Sequence, residues 1–394
     1  MQRAVIVDAL RTPFGRGRES GALAGVHPVD LLAMTIDALV ARTGVDPARI
    51  DDVIAGCAIP VGEQAGNIGR HAALAAGLPE DVPATTVDRK CGSSQQAVHF
   101  AAQAIMAGDQ DIVVACGVEM MGTVPMKANR LGRDDLGPRL RARYPEGLVN
   151  QGVAAELIAA KWNVSRPESD AFSARSHERA AAARDSGFLE RQIVPVARPD
   201  GTLVTADEGI RDSTTETALA ALRPAFYDAG TAARFPEIDW VVTAGSSSQV
   251  SDGASAALVM SESAAEGMGI EPRAVVVGRA VVGADPFLML TGIIPATEKV
   301  LARTRLDLAD IDLFEVNEAF APVVLAWLRE TQVDPDIVNA YGGAIALGHP
   351  AGASGCRLFA TLLHGLEARG GRYGLVTMCE SGGMANATVV ERLS

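Results

Sequence analysis

The chain of 394 residues has few aromatic side chains: three Trp, four Tyr and ten Phe, 4% in all. A core of this size must therefore close with small and aliphatic groups. The 40 glycines and the many alanines allow helices and sheets to pack closely, as a layered α/β protein requires. Positive charge is also scarce. Thirty-five Lys and Arg against 48 Asp and Glu leave a net charge of −13. An acidic chain gains nothing from a phosphate backbone, so nucleic-acid binding is excluded as the default, and an anionic ligand would need arginines around one cleft. No apolar run approaches the ~20 residues of a membrane span. Five cysteines (57, 91, 116, 356 and 379) form an odd set without CxxC spacing, which reads as reduced thiols. No basic n-region or Arg/Ser-rich transit segment precedes the first apolar stretch, Ala4-Val5-Ile6-Val7, so a cytoplasmic protein is expected.

Length predicts two or three domains. Strand-like and helix-like segments alternate over the first ~120 residues, at 51–58, 84–87, 97–107 and 111–116, and alternation of this kind predicts a mainly parallel sheet covered by helices. From residue 122 into the 240s the chain is richer in Arg, Asp, Glu and Pro. It carries one long helical pattern over 167–186 and reads as an inserted or capping region. The alternating pattern resumes near Arg273. Two units resemble each other: Cys91-Gly92-Ser93-Ser94 opens a helix closed by Gly108 before an apolar strand from Asp111, and the loop from His349 to Gly355 opens a helix closed by Gly370 before a strand from Tyr373. This reads as a weak internal duplication, with reactive positions facing each other across a pseudo-twofold axis.

Four segments carry candidate chemistry. In the first, Cys91 follows an apolar strand at the mouth of a helix, where free N–H groups and the dipole are expected to lower a thiol pKa. A buried core cysteine is the competing reading. The second segment, 342–355, is glycine-rich and needs unusual dihedrals or close backbone approach. It lacks the Gly-Lys-Ser/Thr ending of a P-loop and the GxGxxG spacing of a dinucleotide site, and its functional side chain is His349. In the third, Cys379 ends an apolar strand before Glu380-Ser381-Gly382-Gly383. In the fourth, Asn317 lies between a strand and an apolar helix, where an N-cap is the simpler role.

Together these segments resemble the thiolase family, in that family's order and over nearly the whole chain. Further matching pieces are Arg11-Thr12-Pro13-Phe14-Gly15, Leu222-Arg223-Pro224-Ala225-Phe226, the run from Thr243 to Gly253 and Asn317-Glu318-Ala319-Phe320. The resemblance implies a five-layer α/β/α/β/α fold with two related domains and an inserted loop domain. Its expected boundaries are 1–121 for the first part of the N-terminal domain, 122–248 for the loop domain, 249–272 for the return segment and 273–394 for the C-terminal domain. It implies a CoA-dependent acyltransferase that cleaves a 3-ketoacyl-CoA to acetyl-CoA and a shortened acyl-CoA, or runs the reverse condensation, in lipid degradation.

Residue by residue, the resemblance makes Cys91 the acylated nucleophile and His349 the acceptor of its proton. Cys379 exchanges a proton with the acetyl-CoA enolate, a role suited to a thiol whose pKa lies near neutrality. His349 with a water on Asn317, and the backbone N–H groups of Cys91 and Ser381, form two oxyanion holes. The family usually has glycine at Ser381. Arg223, Ser248, Ala319 and Phe320 match CoA-contacting positions, with a surface ion pair as the alternative for Arg223. Coenzyme A and acyl-CoA are substrates, with no permanently bound cofactor, no metal and a homodimer or homotetramer expected. Ser94-Gln95-Gln96 and Ser246-Ser247-Ser248-Gln249 look more like degradative thiolases of bulky, including steroid, acyl-CoAs than like biosynthetic acetoacetyl-CoA thiolases. A ketoacyl synthase would carry histidine in place of Cys379. A non-catalytic acyl-CoA or lipid carrier would have a broken set.

Overall fold

The computed structural model describes residues 2–393. In chain order the first half contains β1 (Ala4–Arg11), α1 (Pro28–Thr43), β2 (Asp52–Gly56), α2 (Ile68–Ala75), β3 (Ala84–Val87), α3 (Ser93–Ala107) and β4 (Ile112–Met120). Helices α4 (Gln151–Lys161) and α5 (Arg166–Asp185) follow. Strand β5 (Ser251–Ser261) then returns to the sheet. The second half contains β6 (Ala274–Gly283), α6 (Ile293–Thr304), β7 (Leu313–Val316), α7 (Ala321–Thr331), α8 (Ser354–Arg369), β8 (Tyr373–Glu380) and β9 (Met384–Arg392).

These strands hydrogen-bond in the order β7-β8-β9-β6-β1-β5-β4-β2-β3, and the short strand Gly15–Arg16 pairs with β5. β2 is parallel to β3 and β4, and β7 is parallel to β8; β5 and β9 add antiparallel neighbours. The two halves touch as sheet through only two residue pairs, Val5 with Val275 and Ile6 with Ala274. Beyond that seam they fold over a shared middle layer.

Side-chain alternation explains the layering. In β4 every residue is buried; Ile112, Val114 and Cys116 enter one core with Leu32 and Ile36 of α1, while Val113 and Ala115 enter another. Strands covered on both faces read as unbroken apolar runs. The second core holds α3 and α8 between both sheet halves, with Ile6 from one and Val376 and Met378 from the other. The third lies outside the second half, where Phe314 and Leu375 meet Val300 of α6 and Trp327 of α7. The order is thus α1/α2, sheet, α3/α8, sheet, α6/α7: five layers. Helix α8 is buried on all sides over 354–366, as a middle-layer helix must be.

The stretch 122–248 contributes no strand to this sheet among the described residues; its strands are the short hairpin Val196–Ala197 with Leu203–Val204. The helix expected over 167–186 spans Arg166–Asp185 and starts at a capping box between Ser165 and Glu168. In the duplicated units, Gly108 (φ 85) and Gly370 (φ 66) close α3 and α8 in left-handed caps. The two helices start against each other: a Cβ on Gly355 would stand 2.1 Å from the Gln95 nitrogen, and Cys356 N donates to Ser94 Oγ at 3.1 Å.

Candidate active site

The site is built where parallel strands end and middle-layer helices begin. The turn after β3 holds Lys90 at φ 51, and Ser93 Oγ stitches it by donating to Lys90 O at 2.6 Å and accepting from Arg89 N at 2.9 Å. Cys91 is half-buried and packs on the small apolar cluster of Ala58, Ile59, Met121, Val124 and Ala351. The expectation that the helix start lowers its thiol pKa is corrected here. Burial, followed by the Glu380 and Glu119 carboxyls, pushes it up to about 12, outweighing the backbone N–H and Lys90. Cys91 is thus a thiol at neutral pH and needs a base.

His349 is held by its backbone. Its N–H meets Gln249 O and Ser251 Oγ, each at 3.1 Å. Gly348 lies at φ 107 and ψ 167, and a Cβ there would come 2.4 Å from Ser251 Oγ; only glycine fits. The Nδ1 atom lies 2.6 Å from Ser354 Oγ, which donates to Pro350 O at 2.9 Å. A hydroxyl has one proton, so the tautomer that satisfies both contacts has Nδ1–H as donor and a lone pair on Nε2. Nε2 is buried and has no partner among the described residues. Burial and then the Arg357 guanidinium lower the imidazole pKa to about 3, which keeps the ring neutral.

Asn317 follows β7, and its N–H donates to Thr377 O at 3.0 Å, level with the end of β8. It is not an N-cap: α7 starts at Ala321, with Phe320 as the capping residue. The Asn317 side chain is fully buried, and neither Oδ1 nor Nδ2 has a hydrogen-bond partner among the described residues. A buried polar atom without a protein partner is open to a water or a ligand. Cys379, two residues beyond Thr377 on β8, is fully buried. The expectation of a near-neutral thiol is corrected here as well: burial, then neighbouring Cys91, raises its pKa well above the ordinary value. Ser381 avoids positive φ, whereas Gly382 (φ 90) and Gly383 (φ 79) take the left-handed positions of the turn. The serine therefore carries no strain where glycine is usual.

Of the four residues Arg223, Ser248, Ala319 and Phe320, the last three lie together, and Ser247 pairs with Phe320. Ser248 N donates to Ala319 O at 2.9 Å, and Phe320 meets Phe226 edge to face at 5.9 Å. Two residues after Arg223, Ala225 N donates to Val242 O at 2.9 Å. Ala319 and Phe320 are buried, Ser248 is half-buried and Arg223 is exposed. Arg223 forms no ion pair among the described residues, so the surface-bridge alternative finds no partner.

Three supporting residues escaped the sequence reading. Buried Glu119 accepts from Ala58 N (2.8 Å), Ile59 N (3.2 Å), Gln64 Nε2 (2.8 Å) and Gly352 N (2.9 Å), tying the Cys91-side loop to the His349 loop. Buried Glu318 accepts from Ser176 Oγ (2.6 Å), Asn339 Nδ2 (3.0 Å) and Ile345 N (3.1 Å), anchoring the segment before His349. Ser354 is the third. A carboxylate inside an otherwise apolar strand was the available signal for Glu119. No cluster of three or more potential metal ligands occurs among the described residues.

Residues 4–263 match a family model described as "Thiolase, N-terminal domain", and residues 270–392 match "Thiolase, C-terminal domain". The chain is 49% identical to a protein of Mycobacterium tuberculosis named "Steroid 3-ketoacyl-CoA thiolase FadA6", over 100% of this chain and 95% of that one. It is 45% identical to a "3-ketoacyl-CoA thiolase" of Serratia proteamaculans, over 100% of both. A crystal structure of the Bacillus anthracis acetyl-CoA acetyltransferase superposes with a TM-score of 0.89 at 36% identity, covering 100% of this chain and 99% of that one.

Proposed function

The chain belongs to the thiolase family and is a CoA-dependent acyltransferase of 3-ketoacyl-CoA thioesters, and on that premise we propose how its own residues divide the work. In thiolysis Cys91 Sγ attacks the 3-keto carbon while its proton passes to His349 Nε2. The C2–C3 bond then breaks, Cys379 protonates the departing acetyl-CoA enolate, and the acyl group stays on Cys91. CoA gives its thiol proton to the Cys379 thiolate and attacks that thioester, the shortened acyl-CoA leaves, and His349 returns its proton to the Cys91 sulfur. A water on Asn317 together with His349 holds the enolate oxygen. The N–H groups of Cys91 and Ser381 hold the oxyanion of the tetrahedral adduct, where one donor is typically worth ~10²–10³ in rate. The observation that carries this reading is twofold: buried Asn317 and His349 have polar atoms without a partner among the described residues, and the Cys91 and Cys379 thiols lie close enough to act on each other through space.

Arg223, Ser248, Ala319 and Phe320 receive CoA, with exposed Arg223 at the anionic nucleotide end. Bound CoA is a substrate, and no permanent cofactor is required. The direction is degradative, and the acyl group is bulky, in line with the name of the mycobacterial relative. The domain division is 1–121 with 249–272, 122–248, and 273–394. The protein assembles as a homodimer or homotetramer in the cytoplasm; exposed Met126 (58%) and Leu131 (75%) in the loop region suit a subunit contact. No helix among the described residues is long and apolar enough to cross a membrane.

The test is thiolysis with CoA and 3-ketoacyl-CoAs of increasing size, run beside Cys91→Ala, with the acyl-enzyme trapped and read by mass. Loss of turnover and of the adduct in Cys91→Ala is expected. Undiminished turnover in that variant would overturn the assignment, and a strict preference for acetoacetyl-CoA would overturn the bulky-substrate reading.

A further inference from the structure

One ionisable group beside the nucleophile has no task in this mechanism. Glu380 ends β8 directly after Cys379, is fully buried, and neither of its carboxyl oxygens finds a hydrogen-bond partner among the described residues. The carboxyl packs on Gly92, the residue after Cys91: a Cβ at Gly92 would stand 2.0 Å from Oε1 and 3.2 Å from Asn386 Nδ2. Asn386 on β9 donates to Gly92 O at 3.4 Å, and its own Oδ1 is also unpartnered. A residue with a Cβ at position 92 would collide with this carboxyl, so glycine and Glu380 are mutually fitted. A carboxyl that only held structure would be expected to have donors around it, as Glu119 and Glu318 have.

We propose that Glu380 is a positioning residue that acts through Cys91: uncharged, it leaves the Cys91 thiolate free to form, and ionised, it suppresses acylation. The proposal rests on the reading of Cys91 as the nucleophile. A buried charge acts on its neighbours more strongly than the same charge in water. The turn 88–90 brings Asp88, Arg89 and Lys90 to this side. Asp88 and Lys90 pair with each other at 2.6 Å, and Arg89 comes no closer than a through-space attraction. The first residues of α3 are Ser93, Ser94 and Gln95, and β9 presents Asn386, all uncharged. Cys379 shares the strand. Glu119 acts on Cys91 as well, but its oxygens are occupied by four nitrogen donors and by Cys57 Sγ.

The protonation states fit. Burial pushes the Glu380 carboxyl up to about 8, against a weaker downward pull from Arg89. It is therefore neutral at pH 7 and charged above pH 8. Cys91 at about 12 and His349 at about 3 do not titrate in that window. A change in Cys91 reactivity near pH 8 thus reports Glu380.

The experiment is the pH profile of Cys91 alkylation by iodoacetamide from pH 6.5 to 10, followed on the Cys91 peptide by mass spectrometry. The full-length parent is compared with Glu380→Gln and with Glu380→Leu. In the parent the tenfold rise per pH unit expected of a thiolate should bend over above pH 8. In both variants it should continue, so that the variant-to-parent rate ratio grows at least tenfold between pH 7 and pH 9.5. A ratio constant within twofold across the range would overturn the proposal. If one variant does not fold, the other and the bend in the parent carry the test. Turnover surviving in Cys91→Ala would remove the nucleophile reading itself, an outcome separate from an unchanged alkylation profile.

Discussion

His349 Nδ1 and Ser354 Oγ stand 2.6 Å apart, and the same hydroxyl donates to Pro350 O at 2.9 Å. One turn of α8 therefore selects the tautomer that leaves Nε2 as a base. Ser354→Ala should lower kcat about 10- to 100-fold, a fraction of what general-base catalysis supplies, with KM for CoA within about twofold. Steady-state kinetics on both substrates measure this, and an unchanged kcat would contradict the role.

Asn317 should separate activity from stability. Its side-chain polar atoms have no partner among the described residues, so removing them orphans none of those residues. Asn317→Ala should cost about 10²–10³ in kcat, while unfolding stability stays within about 1 kcal/mol of the parent. Urea unfolding beside kinetics decides it; a large stability loss would mark a structural residue.

Glu318 predicts the reverse balance. Glu318→Ala would leave the Ser176 hydroxyl proton, one Asn339 Nδ2 proton and the Ile345 N–H without their acceptor in the interior. A loss of about 3 kcal/mol or more is expected, read as a lower urea midpoint, and Glu318→Gln should recover part of it.

His177 gives a pH signature. Burial, then Arg211, lowers its pKa to about 4 from the ordinary 6.5, so the unfolded chain binds a proton that the folded chain refuses. Stability from this group is full above pH 6.5 and is lost as pH falls toward 4. Between pH 7 and pH 5 the loss is about 2 kcal/mol. Urea unfolding at both values, on the parent and on His177→Gln, should show the stability gap between the two proteins narrowing by that amount at pH 5.

Arg223 is exposed and forms no ion pair among the described residues. Arg223→Ala should leave stability within about 0.5 kcal/mol and kcat unchanged. KM for CoA should rise about threefold to tenfold, an effect that shrinks at high salt. A salt-independent KM would remove Arg223 from the CoA surface.

Much of the fold was legible because its cause is local. The run Ile112-Val113-Val114-Ala115-Cys116 is apolar at every position because both faces of β4 are covered, and Gly108 and Gly370 mark helix ends because a left-handed cap suits glycine. The return of β5 between β1 and β4, and the two-pair seam between the sheet halves, have no such local signature. The same division runs through the site. Cys91, Asn317, His349 and Cys379 could be selected by residue type and flanking pattern. Their supports could not: Glu119 joins a strand to a loop 233 positions away, and Glu380 meets Gly92 from the other half of the chain.

The protonation states show this most sharply. By sequence, Cys91 at a helix mouth should be acidified and Cys379 should lie near neutrality; in the folded protein both thiols are raised. The amino-acid sequence by itself determined the order of the motifs, the elements that carry them and the chemical groups available for acyl transfer. The tertiary structure alone decided which of those groups are charged, because desolvation and through-space charge depend on what surrounds an atom and not on its neighbours along the chain.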